Sequence, residues 1–128
     1  MAITLGKAVN QALGDRQGIV RMSHAVVPMD DALAMVAIDI GGRGYTVFEA
    51  AFDSPKIDEM SADLIHHFVV SFASETKLNI HAKVLAGIND HHKAEALFKA
   101  LARALDAATR TDQRITGNIP STKDTIES

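Results

Sequence analysis

Leu78-Asn79-Ile80-His81-Ala82-Lys83-Val84-Leu85, followed closely by Asp90-His91-His92-Lys93-Ala94-Glu95-Ala96-Leu97-Phe98, is the stretch that decides the fold. In its first part Leu78, Ile80, Ala82 and Val84 alternate with His81 and Lys83, the period of a strand with one buried side. In its second part Ala94, Leu97, Phe98, Leu101 and Leu105 recur every three or four residues, which predicts an amphipathic helix over 90–109. A strand with one apolar side and a helix with one apolar stripe cover each other. The unit is helix on sheet, and the remaining elements must complete those two layers.

Working outward, residues 59–75 read as a helix with Met60, Leu64, Phe68 and Phe72 on one face. Upstream, residues 35–40 and 45–52 each alternate as strands do. Gly41-Gly42-Arg43-Gly44 between them reads as a tight hairpin connection, because glycine reaches positive φ without strain. Residues 19–27, rich in β-branched side chains and closed by Pro28, supply a further strand. Residues 2–13 read as a short helix ended by Gly14. The order is one helix and then β-β-β-α-β-α. It predicts an α+β two-layer sandwich, a four-stranded sheet with two helices on one face, preceded by one extra N-terminal helix. The boundaries are 1–14 for the extra helix, 15–110 for the sandwich and 111–128 for a polar tail.

The bulk properties narrow the function classes. A chain of 128 residues has the length of one small domain. Its hydrophobic fraction of 47% and mean hydropathy of +0.05 are ordinary for a globular protein. A net charge of −3 gives no electrostatic reason to expect nucleic acid or an anionic membrane as partner. Without cysteine there can be no disulfide, thiolate catalysis or sulfur-ligated metal. No apolar run approaches the roughly 20 residues that span a bilayer, and the N-terminus lacks a signal peptide's charged-then-apolar layout. The expected address is cytoplasmic.

Five of the six histidines fall between positions 66 and 92. Asn89 or Asp90 can cap the final helix by accepting hydrogen bonds from its free N–H groups. Glu95 follows His91 by four residues and His92 by three, so all three share the first turn beside the apolar stripe. Two imidazoles and a carboxylate are a ligand kit for a divalent transition metal. The positive end of the helix dipole favours neutral imidazoles, the form that binds metal, and the carboxylate offsets its opposition to a cation. A plain cap or a solvated histidine pair is the competing reading. His67, at the edge of its helix stripe, taken alone reads more readily as a packed, hydrogen-bonded histidine than as a ligand. His66 points toward the polar side, His81 points away from its strand's buried side, and His24 carries no signal. Arg43 sits in a turn whose short neighbours let a ligand approach. Ser121-Thr122-Lys123 offers hydroxyls, backbone donors and an ammonium that can grip a phosphate. Solvated side chains are the bland alternative for both, and Arg21 is unremarkable by itself.

Several blocks together resemble the imidazoleglycerol-phosphate dehydratase family over nearly the whole chain. They are Gly18-Ile19-Val20-Arg21, Val27-Pro28-Met29-Asp30-Asp31-Ala32-Leu33-Ala34, Asp39-Ile40-Gly41-Gly42-Arg43-Gly44-Tyr45, Asp63-Leu64-Ile65-His66-His67-Phe68 and Leu85-Ala86-Gly87-Ile88-Asn89-Asp90-His91-His92. Glu95-Ala96-Leu97-Phe98-Lys99-Ala100-Leu101 and the tail Ile119-Pro120-Ser121-Thr122-Lys123 complete the match. The resemblance implies a ribosomal protein S5 domain 2-like fold that this family repeats in tandem. Each half gives a histidine from its first helix and a His-His-x-x-Glu from its second. The chain then looks like the second half, preceded by the last helix of the first, which accounts for residues 1–14.

The same resemblance implies manganese held by His67, His91, His92 and Glu95, with other divalent metals as alternatives. It implies His91 and Glu95 as catalytic residues, and Arg21, Arg43, Ser121, Thr122 and Lys123 as contacts to a substrate phosphate. The implied reaction, in histidine biosynthesis, dehydrates imidazoleglycerol phosphate to imidazoleacetol phosphate. Four positions depart from the family's usual pattern: Gly41 replaces serine, Gly44 proline, His66 an acid, and Asp124 a glycine. With one half's ligands, three forms follow. The chain is a dehydratase completed in trans, a homo-oligomer whose metal-dependent self-association mimics the tandem pair, or a metal-binding module without catalysis. Its partners are then a small phosphate substrate and further copies of itself.

Overall fold

Strand β1 (Met22–Met29) turns through Asp30 and Asp31 into β2 (Ala32–Asp39), and the two pair antiparallel from Met29↔Ala32 to Met22↔Asp39. In the computed structural model, which describes residues 1–57, 59–112 and 114, seven further elements surround this hairpin. They are α1 (Ala2–Leu13), β3 (Tyr45–Glu49), β4 (Lys56–Ile57), β5 (Met60–Ser61), α2 (Asp63–Thr76), β6 (Asn79–Ala86) and α3 (Asp90–Thr109). The main sheet has the order β1-β2-β6-β3, while β4 and β5 form a separate two-stranded ribbon. Helix α3 packs on β1 and β2, α2 packs beside it on β3 and β6, and α1 lies against α2. This is the expected α+β two-layer sandwich with an extra helix.

The order of the sheet overturns the hairpin expected at Gly41-Gly42-Arg43-Gly44. β3 does not pair with β2. It runs parallel to β6, which sits between them and pairs antiparallel with β2. The glycine-rich segment therefore carries the chain past the place of β6 to the far edge. Two-sided pairing goes to β6 because Leu78, Ile80 and Ala82 bury its helix-facing side at 0–3% exposure. Gly44 is small for a reason other than a hairpin turn: a Cβ there would stand 2.7 Å from Ser74 Cα and 3.0 Å from the Ala73 carbonyl oxygen. Any side chain would collide with the end of α2.

Two other expectations shift. The first strand does not stop at Pro28 but runs through it to Met29. Proline is tolerated because β1 is the sheet edge, where a missing N–H costs no ladder bond. The helix expected over 59–75 begins only at Asp63, and Met60 belongs to β5. Its buried face carries Ile65, Val69, Phe72, Ala73 and Thr76, whereas Leu64 is 52% exposed. Apolar residues cover more than one side of α2, so periodicity alone could not choose which side meets the sheet.

The core lies between sheet and helices, with Val36, Ile38, Ile40, Ile65, Val69, Phe72, Leu78, Ile80 and Leu97 all buried. On α3 a column of alanines at four-residue spacing, Ala96, Ala100, Ala104 and Ala108, is wholly buried. Small side chains let the helix lie close to β1 and β2, where Ala32 and Ala34 are buried as well. The buried Arg16 guanidinium donates to the Thr76 carbonyl at 2.9 Å and to the Lys77 carbonyl at 3.5 Å, and it also meets Asn10. It thereby satisfies the end of α2 and fastens α1 to it. No described helix is long and apolar enough to cross a membrane.

Candidate metal centre at the start of helix α3

Between β6 and α3 the chain turns at Gly87, whose φ of 150° is a conformation that side chains other than glycine rarely adopt. A Cβ there would also stand 2.9 Å from Lys93 Cγ. Asn89 is the N-cap, its side-chain oxygen accepting the His92 N–H at 3.0 Å. Asp90, the other capping candidate, turns outward to the segment after β3. Its carboxylate accepts the N–H groups of Asp53 at 3.0 Å and Ser54 at 2.8 Å. Those two donors and Lys93 hold its pKa below the usual carboxylate value. The Lys93 side chain is only 7% exposed and donates to Asp90 at 3.4 Å and to the Ala51 carbonyl at 3.1 Å. The first turn of α3 is thus tied to the 51–54 segment.

A second anchor comes from the β1–β2 turn. Asp31 Oδ2 accepts the N–H groups of Ile88 at 2.5 Å and Asn89 at 2.8 Å, and its Oδ1 lies 2.6 Å from His92 Nδ1. The His92 hydrogen bond first, then the two backbone donors, hold the Asp31 carboxyl far below the usual range. Reciprocally, the bond to Asp31 pushes the His92 pKa up against the desolvation that lowers it. This reverses, at His92, the expectation that the helix dipole keeps the imidazole neutral. A carboxylate at hydrogen-bond distance outweighs the half-charge of a helix end.

His91, His92 and Glu95 do not converge on one point. Glu95 Oε2 lies 3.3 Å from His91 Nε2, and its Oε1 lies 3.0 Å from Lys99 Nζ. The hydrogen bond from Lys99 leads in lowering the Glu95 pKa, with His91 adding to it. His92 instead faces Asp31, with Asp30 Oδ2 3.6 Å from its Nε2. The two rings are 6.4 Å apart and nearly perpendicular at 74°. His67 is on α2, exposed, and lines an apolar hollow with Met60, Leu64, Phe68 and Phe98. Among the described residues no group of three or more His, Asp or Glu side chains is gathered to hold a metal ion. A single copy therefore does not close the four-ligand clasp of His67, His91, His92 and Glu95.

Of the implied phosphate contacts, Arg21 and Arg43 fall among the described residues, and the Arg21 guanidinium lies beside Gly41, two residues before Arg43. Arg21 sits at positive φ (79°) ahead of β1, its Nε 2.7 Å from Asp39 Oδ1. Arg43 is exposed in the crossover after β2. Ser121, Thr122 and Lys123 lie outside the described residues. Asp31 and Lys93 are the residues that sequence reasoning left without a role. A signal for Asp31 existed in the two-residue Asp30-Asp31 turn between alternating strands, although nothing local says which backbone it would clamp.

The donor set fits a divalent cation that prefers nitrogen and oxygen ligands. Its imidazoles and carboxylate are solvent-accessible, and the bond from His92 Nδ1 to Asp31 leaves Nε2 as the nitrogen for a metal. That carboxylate–histidine pairing is typical of metal-ligating histidines.

Fold and site together define an α+β sandwich with a His–His–carboxylate group on the first turn of its last helix. The imidazoleglycerol-phosphate dehydratase family model matches residues 1–105, and the chain belongs to that family. An imidazoleglycerol-phosphate dehydratase of Dehalococcoides mccartyi (strain CBDB1) is 58% identical over 99% of the chain and 65% of its own length. One of Chloroflexus aggregans is 58% identical over 96% of the chain and 60% of its own. Among solved structures, the Staphylococcus aureus enzyme superposes with a TM-score of 0.83 at 33% identity, covering 86% of this chain and 64% of that one. The Pyrococcus furiosus enzyme gives 0.82 at 34% identity, covering 97% and 66%. The chain thus spans 60–65% of the length of these two curated relatives.

Proposed function

We propose that the chain serves the dehydration of imidazoleglycerol phosphate to imidazoleacetol phosphate in histidine biosynthesis, in the cytoplasm, at manganese sites built between copies. The carrying observation is the family match together with the ordered His91, His92 and Glu95 on α3. Bound there, manganese supplies Lewis-acid stabilisation of charge developing on the substrate imidazole. The chain's own residues do the rest. Glu95, kept ionised by Lys99 and His91, and His92, steadied by Asp31, present donors from one helix turn. His67 presents its ring from the exposed face of α2, and a second copy brings it to the donors that its own copy does not reach. Arg43, with Arg21, Ser121, Thr122 and Lys123, supplies charge and hydrogen bonds for the substrate phosphate. Arg21 must exchange its bond to Asp39 for one to phosphate. The reaction removes one carbon-bound proton and one hydroxide, a net loss of water.

The test is turnover of imidazoleglycerol phosphate by the chain with and without manganese, alongside size-exclusion chromatography. Expected are activity only with manganese, its loss in His91→Ala and Glu95→Ala, and an assembly larger than one copy. A second reading is a self-assembling metal-binding module without catalysis, for which the separate His91–Glu95 and His92–Asp31 pairs on one helix turn suffice. Manganese uptake and assembly without turnover select it. A single copy indifferent to manganese overturns both.

A further inference from the structure

We infer that Asp31 is the positioning residue of the site: it fixes the tautomer of His92, so that Nε2 carries the lone pair offered to a divalent cation. The inference rests on the metal reading above and assigns a role to a residue that is not itself a ligand. Its ground is the division of labour between the two carboxylate oxygens. Oδ2 is committed to the backbone N–H groups of Ile88 and Asn89, which fixes the plane and orientation of the carboxylate. Oδ1 is left 2.6 Å from His92 Nδ1 and can only accept. An ionised carboxylate has no proton to give, so Nδ1 must hold the hydrogen. In the neutral ring, the other nitrogen is then the acceptor.

The geometry also explains how a turn at one end of the β1–β2 hairpin controls a side chain on α3. Asp31 binds the loop that launches the helix and the second imidazole of its first turn. Moving the turn would move both together. Asn89 adds a bond from its side chain to the His92 N–H at 3.0 Å, so backbone and ring of His92 are held from two sides.

The isosteric variant Asp31→Asn separates clamp from tautomer. The two backbone donors require an acceptor, so the amide oxygen of the replacing asparagine takes the place of Oδ2. Its NH2 then faces His92 Nδ1 and donates, which forces the ring hydrogen to Nε2 and blocks that nitrogen as a ligand. Long-range proton–nitrogen NMR of the metal-free 128-residue chain, at about pH 9 where imidazoles are neutral, reads the tautomer directly. Expected are a hydrogen on Nδ1 in the wild type and on Nε2 in Asp31→Asn. Manganese affinity should be roughly 10–100-fold weaker in the variant. A wild-type His92 carrying its hydrogen on Nε2 overturns the inference, and this measurement suffices even if the variant does not fold. An unchanged tautomer or unchanged manganese affinity in Asp31→Asn also overturns it. If His91→Ala still weakens manganese binding, the metal reading survives that failure. A wild-type chain that takes up no manganese ends the metal reading and the positioning role together.

Discussion

The first turns of the two sheet-covering helices are built in opposite ways. At the start of α3 nearly every polar side chain is committed within the chain. Asn89 caps, Asp90 and Lys93 hold the 51–54 segment, and His92 is fixed by Asp31. At the start of α2 there is no side-chain cap, Leu64 is 52% exposed, and His66 stacks on Phe48 at 4.6 Å. Among the described residues His67 has no hydrogen-bonded or ion-paired partner. One helix end is organised by its own chain, while the other presents a ring and apolar surface outward. The proposed site, which draws donors from both, is half preformed, and its second half depends on what meets α2.

The largest expected effect cuts across this division. His91→Ala should weaken manganese binding by at least about 100-fold, beyond the ~10–100-fold typical of an outer partner. His67→Ala should do the same if copies share the site. Mixing the two inactive chains should then restore part of the binding, because each copy supplies the ring that the other lacks. Isothermal titration of the separate and mixed variants measures this, and no recovery on mixing breaks the proposal of shared sites.

Next in size is the anchor of α3. Lys93→Ala should cost about 1–3 kcal/mol in urea unfolding, because Asp90 and the Ala51 carbonyl lose a donor in a nearly closed space. A loss below about 0.5 kcal/mol, the range of ordinary surface changes, would place the two helix starts on the same footing.

The His92–Asp31 pair gives a smaller effect that depends on pH. The Asp31 pKa is depressed in the folded chain, so its contribution is complete above the unfolded value near ~4 and fades as pH falls toward the folded value. The His92 pKa is raised, so its contribution is complete below the unfolded value near ~6.5 and fades as pH rises through the folded one. In metal-free buffer, the gap in melting temperature between wild type and His92→Ala should be widest between about pH 4 and 6.5. It should narrow on either side, and a gap that widens above neutrality would contradict the pairing. The smallest effect belongs to α2: Leu64→Ala should change stability by less than about 0.5 kcal/mol in dilute single copies. A larger loss would mean that this face is already covered.

Much of the fold was legible because its signals are local. Residues 78–85 alternate strictly and 90–109 keep one apolar stripe, so strand and helix stand where periodicity put them. The pairing of β3 was illegible, since glycines at 41–44 suit a tight turn and a close passage over α2 equally well. The rotation of α2 was hidden for a similar reason, with apolar residues on more than one side. At the candidate site the spacing of His91 and Glu95 foretold their contact, because helix geometry alone brings positions four apart together. Asp31 was not foreseen, as 61 residues separate it from His92.

By itself, the sequence determined the order of the three helices and the four main-sheet strands, their two-layer class and the candidate donors on the last helix. Each of these follows from side-chain periods of two or 3.6, which any reader of the chain can count. Tertiary structure alone decided that β6 lies between β2 and β3, that His92 turns to Asp31 rather than to Glu95, and that His67 remains on an exposed face. Those outcomes depend on which distant surfaces meet, and no local spacing encodes that choice.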